Sequence, residues 1–128
     1  MPEPIVFIGH HRVGEGQLEN LRQFYREKVK SIEADLPGTL VDLAYVSKDG
    51  AAVTIFHLFP DADAMDPFFQ GVGDRSKEGN KYLQPIALEV YGTPSANVLE
   101  ILKQIEDRGV SVSINPQIVG GFVRLKPG

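Results

Sequence analysis

An Asp-Gly pair at positions 49 and 50, set between two runs of strand-forming residues, does most to limit how this chain can fold. Thr39–Val46 reads as one strand and Ala51–Phe59 as the next. Asp-Gly between such runs marks a two-residue type I′ turn, whose central residues both need φ > 0. A loop of Asp49 and Gly50 alone sets Lys48 opposite Ala51, and every later pair follows. Val46 meets Val53, Ala44 meets Ile55, Asp42 meets His57 and Leu40 meets Phe59, all on one face. Val41, Leu43 and Tyr45 share the other face with Thr54, Phe56 and Leu58. Both faces are largely apolar, so the hairpin Leu40–Phe59 is expected to be covered on both sides.

With 128 residues the chain reads as a single domain, 1–128, large enough for one core. Its net charge of −4, with Lys and Arg scattered among acids, argues against a nucleic-acid partner or an anionic membrane surface. The absence of cysteine excludes disulfides, thiolate catalysis and Cys-ligated metals. The first ten residues lack the basic start of a signal peptide, and no apolar run is long enough to span a bilayer. A cytoplasmic protein is the expectation.

Along the chain, Ile5–Val13 is β-like and ends at Gly14-Glu15-Gly16. Leu18, Leu21, Tyr25, Val29, Ile32 and Leu36 then recur every three or four residues, the stripe of an amphipathic helix stopped by Pro37-Gly38. After the hairpin, Asp61 or Asp63 caps a short helix near 62–70 that contains Pro67. A break at Gly71-Val72-Gly73 and a second helical piece from Ser76 to Leu83 follow, closed by Gln84-Pro85. Ile86–Tyr91 alternates as a strand. Thr93 as N-cap and Pro94 at the first position open a helix striped by Val98, Ile101, Leu102 and Ile105, with Gly109 at its end. Val110–Ile114 reads as an edge strand, and Ile118–Leu125 as a last strand loosened by Gly120-Gly121.

The order β-α-β-β-α-β followed by α-β predicts an α+β fold. Residues 1–92 form a ferredoxin-like antiparallel sheet with helices on one face; residues 93–128 form a C-terminal helix-and-strand extension. The apolar face left open is expected to be covered by a second copy of the chain, and the C-terminal part to wrap that copy.

Ile5 to Tyr91 resembles the dimeric α/β-barrel superfamily, and within it the antibiotic-biosynthesis-monooxygenase-like domains. The likeness is carried by the first strand, the loop Val13-Gly14-Glu15-Gly16 leading into the helix, Leu36-Pro37-Gly38 leading into the hairpin, and the acidic helix start Asp61-Ala62-Asp63-Ala64-Met65. It implies a homodimeric barrel. The known activities in such a family are cofactor-independent oxidation of polyketide quinone precursors and oxidative haem breakdown. The haem-degrading members use an Asn–Trp–His set, and this chain has no Trp; Pro67-Phe68-Phe69 also stand where the family often has a His.

Asp42 and His57, facing each other across the hairpin, are the candidate catalytic pair, expected on the sheet face away from the helices. An Asp that accepts from one imidazole nitrogen fixes the tautomer and leaves the other as a base. The same two residues also read as polar groups that satisfy each other in an apolar setting. His10 and His11 are neighbours on a strand and point to opposite faces. A two-His-one-carboxylate metal set would need His57, one of these and Asp42; no close spacing supports it, and neither metal nor cofactor is expected. Phe59, Phe68, Phe69, His10 and Arg12 are the candidate substrate contacts, one of the two adjacent Phe residues having to leave the main core. Arg12 reads more readily as a partner of Glu15, and Tyr25 as ordinary core. The expected ligand is a small apolar or aromatic, polyketide-like molecule. A non-catalytic binding or stress-response barrel and a pure dimerisation module stay open beside a monooxygenase-like enzyme.

Overall fold

The computed structural model describes residues 3–71 and 77–124. Strand β1 (Ile5–Val13) leads through the Gly14–Gly16 loop into helix α1 (Leu18–Asp35), and the hairpin follows as β2 (Val41–Val46) and β3 (Ala52–Phe59). Helix α2 (Ala62–Gln70), strand β4 (Leu83–Tyr91), helix α3 (Ala96–Asp107) and strand β5 (Ser111–Asn115) complete the chain. The strands lie in the order β2-β3-β1-β4-β5. All pairs are antiparallel except β4 with β5, which are parallel across the α3 crossover. This is the ferredoxin-like α+β arrangement, extended by one strand into a five-stranded mixed sheet.

The hairpin has the predicted register through a different turn. Asp42 faces His57 and Val46 faces Val53. Only Gly50 has positive φ (+75°), however, so the turn is not type I′. The Gly50 N–H donates to the Ser47 carbonyl, and the Ser47 N–H donates to the Ala52 carbonyl. The Asp49 carboxylate accepts from the Ser47 hydroxyl at 2.7 Å and from the Ala51 N–H at 3.0 Å. A four-residue loop centred on the same bond keeps the register of a two-residue one, and side chains stabilise it in place of a second left-handed residue.

Helix α1 spans the predicted stripe and buries Leu21 and Ile32. The Asp61 carboxylate caps α2, accepting from the Ala64 N–H at 2.9 Å. Pro67 does not end that helix, and both Phe68 and Phe69 are buried, because α2 packs against β3 on one side and α3 on the other. The expectation that one of them leaves the core is therefore corrected. Three further boundaries also shift. Helical structure after α2 is confined to 77–79 among the described residues, the predicted break at 71–73 falling partly outside them. Strand β4 starts at Leu83 and carries Pro85 opposite His11 where the register slips, a bulge that needs no N–H from proline. Ser95, not Thr93, caps α3, accepting from the Val98 N–H at 3.2 Å, while the Thr93 hydroxyl donates to the Pro116 carbonyl at 2.9 Å. Residues 116–124 form no strand: Pro116 removes a donor where β5 stops, and Val119 and Phe122 stand fully or largely exposed.

The helices cover one sheet face. Ile5, Phe59, Met65, Val90, Val98 and Leu102 form most of a first apolar cluster there, and Leu21, Val53 and Ile55 a second one toward the hairpin end. Each fully buried large side chain contributes about 1.5–3 kcal/mol of transfer free energy. Among the described residues no helix packs on the opposite face, although Leu58 is buried there. Leu43 and Tyr45 are 48% and 62% exposed on it. A polar seam crosses this face: the His10 Nε2–H donates to the Glu89 carboxylate, Thr54 Oγ1 lies 3.3 Å from His10 Nδ1, and the Tyr91 hydroxyl donates to Glu89 at 2.6 Å. Those donors, Tyr91 first, hold the Glu89 carboxyl below its usual range. No helix among the described residues is long and apolar enough to cross a membrane.

Candidate functional site

Between the two apolar clusters, under the helices, the sheet leaves a cavity of about 540 Å³. Its walls come from β1, β3, β4, α1 and α2, with the last turn of α3 at the rim. Phe7, Phe68, Phe69 and Leu88 line it from the first cluster, Leu21 and Ile55 from the second. The polar groups converging on it are His11, His57, Tyr25, Lys28 and Arg108, with the amides of Asn80 and Gln84.

Asp42 and His57 lie on the helix-covered face and not on the open one, which corrects the expectation. Strand alternation shows which residues share a face, but with apolar residues on both it does not show where the helices sit. His57 is 5% exposed and is enclosed by phenylalanines. Its ring stacks on Phe7 at 5.1 Å and meets Phe68 at 4.7 Å. Nδ1 lies 3.0 Å from the Phe7 carbonyl, which only accepts, so this nitrogen carries the proton. Nε2 stands 3.8 Å from Oδ2 of Asp42. That separation is longer than a hydrogen bond, and Oδ2 is buried without a hydrogen-bond partner. The other Asp42 oxygen, Oδ1, accepts from the Tyr25 hydroxyl. Burial first, then the bond to Asp42 and its charge, push the Tyr25 phenol far above its ordinary value. Tyr25 is therefore a fixed donor, and its place in the helical stripe hid that role.

His11 is the functional candidate that sequence reasoning left unassigned. Alternation from Phe7 and Gly9 puts it on the His57 face, and it lines the same cavity. Its Nδ1 is buried with no hydrogen-bond partner. Burial first, and next the charge of Lys28, pull its pKa down to about 4; the neighbouring His57 adds to this, while the backbone of Val53 and Gly9 opposes it. The ring is neutral at pH 7.

The other predicted contacts divide. Phe68 and Phe69 line the cavity. Phe59 is fully buried in the core behind His57, their rings 6.4 Å apart, and does not line it. His10 and Arg12 point to the opposite sheet face. Among the described residues no three His, Cys, Asp or Glu side chains are placed to hold a metal ion.

No family profile and no curated protein matches this sequence. Solved structures do. MupZ from Pseudomonas fluorescens superposes with a TM-score of 0.73 at 13% identity over 96% of both chains, which takes in the C-terminal extension. SnoaB from Streptomyces nogalater, a cofactor-independent oxygenase, gives 0.59 at 11% identity over 73% of this chain and 96% of its own. An antibiotic-biosynthesis-monooxygenase-like protein from Caulobacter crescentus gives 0.61 at 15% identity, over 73% and 92%. The chain thus has the fold of these solved proteins.

Proposed function

We propose that this protein binds a small aromatic or polyketide-like molecule in the cavity under its helices and oxidises it without a cofactor, in the manner of a monooxygenase. The observation that carries the reading is the pair of imidazoles, His11 and His57, on the wall of an aromatic-lined cavity. His57 is buried, with Nδ1 bonded to the Phe7 carbonyl and Nε2 turned toward Asp42, so we assign His11 as the ring that meets the ligand, and the His57–Asp42–Tyr25 array positions the wall behind it. Proton transfer from a phenol or enol to His11 leaves an electron-rich anion. That anion reduces O₂, one oxygen atom entering the product as a quinone carbonyl and the other leaving as water. A phenolate beside His11 also offsets the charge of Lys28 and strengthens the base.

The test is oxygen consumption with a panel of dihydroxynaphthalenes and anthrones, comparing the wild type with His11→Ala. Turnover that falls 10²-fold or more in the variant supports the reading, that being the usual size of a general-base contribution. A second, non-catalytic reading is favoured by the enclosure of His57. It predicts that the same compounds bind without oxygen uptake.

The open sheet face is proposed as the contact of a homodimer, sheet against sheet. Support comes from the exposure of Leu43 and Tyr45.

A further inference from the structure

The chain carries 17 acidic and 13 basic residues, yet among the described residues the cavity is lined by two cations, Lys28 and Arg108, and by no Asp or Glu. Asp42 stands behind that lining, turned to Tyr25 and His57. Lys28 lies on α1, one turn after Tyr25, with Nζ 5.9 Å from the Tyr25 ring centroid. Its charge reaches His11 on the opposite wall. Arg108 closes α3 and stands exposed at the rim, where a long side chain can reach an entering ligand.

Resting on the reading of this cavity as a ligand site, we infer that it selects an acid: an aromatic or polyketide-like body carrying a carboxylate, recognised by Lys28 and Arg108. The net charge of −4 disfavours such a ligand on the surface at large. A low-dielectric cleft lined by one sign of charge focuses the field and draws the anion in. The remaining walls fit the rest of the molecule. Phe68, Phe69, Leu88 and Ile55 present apolar surface to a flat body, and Asn80 and Gln84 offer amides to its oxygen substituents. A charge-assisted hydrogen bond is about twice as strong as a neutral one, so the carboxylate adds selectivity to apolar burial.

The experiment compares 2-naphthoate with 2-naphthamide, which share one ring system and differ in charge. Both are titrated into the whole protein by calorimetry, with amide NMR shifts at Gly9 and Gly79 to locate them. The expected result is a carboxylate preference of about tenfold that shrinks with added salt. Arg108→Gln and Lys28→Met should each cut the preference several-fold; Arg108, exposed at a helix end, can be replaced without endangering the fold. Equal binding of the two, or a preference for the amide, overturns the inference and leaves the cavity as a ligand site. A preference that survives both substitutions removes these cations as its source and overturns it too. Failure of both compounds to shift Gly9 and Gly79 sinks the ligand-site reading itself.

Discussion

The imidazole of His11 lies against the bare Cα of Gly9: a Cβ there would stand 2.8 Å from His11 Cε1 and 3.5 Å from Leu88 Cδ2. Glycine at position 9 is what lets the ring fold back over its own strand and face the cavity. Residue 9 has ordinary β-strand φ, so the requirement is one of space and not of backbone strain.

Gly9→Ala should therefore turn the His11 ring off its seat while the sheet persists. Overpacking of this kind costs about 1–3 kcal/mol. Urea denaturation gives the cost, and imidazole NMR shifts should show a moved His11 beside an unmoved His10. An unshifted His11 spectrum would falsify this account of Gly9.

The depressed pKa of His11 makes stability depend on pH. In the unfolded chain the ring takes up a proton near 6.5, and in the folded protein only near 4. Between these values the unfolded state binds more protons, so stability falls as pH drops from about 6.5 to 4 and this loss levels off below. The loss is up to about 3 kcal/mol. His11→Gln should flatten that part of the profile in urea melts. If the slope is the same in the variant, other groups cause it.

Tyr25 and Asp42 should prove strongly coupled. Oδ2 of Asp42 is buried without a hydrogen bond, so Tyr25→Phe leaves the carboxyl with no hydroxyl donor at either oxygen. We expect a loss of roughly 1–3 kcal/mol. Adding Asp42→Asn to Tyr25→Phe should cost less than the sum of the two single changes, and a double-mutant cycle by denaturation measures the difference. In the wild type, ultraviolet titration should show Tyr25 still un-ionised at a pH where an ordinary phenol has lost its proton.

Leu43→Lys sets a charge on the open sheet face, on the edge strand β2, without touching the core. If two copies meet there, light scattering should report a monomer for the variant and a dimer for the wild type, with unchanged circular dichroism. A wild-type monomer at micromolar concentration would end the proposal of a sheet-to-sheet dimer.

Local chemistry was enough to read a good deal from the residues alone. The periodicity from Leu18 to Leu36 and the Pro37-Gly38 stop predicted α1, because both act within a few turns of chain. Asp49-Gly50 predicted the pairing of Asp42 with His57, because any loop centred on that bond keeps the register. Ile5–Val13 and 62–70 were legible for the same reason. Packing between distant segments decided the rest. Only the docking of α1 and α2 settled which apolar face is inside, and with it that His11 joins His57 and that His10 and Arg12 do not. Only the approach of α1 to β2 turned Tyr25 from a core aromatic into the partner of Asp42. The cavity has no trace in the sequence, since it is the space left where two apolar clusters fail to merge.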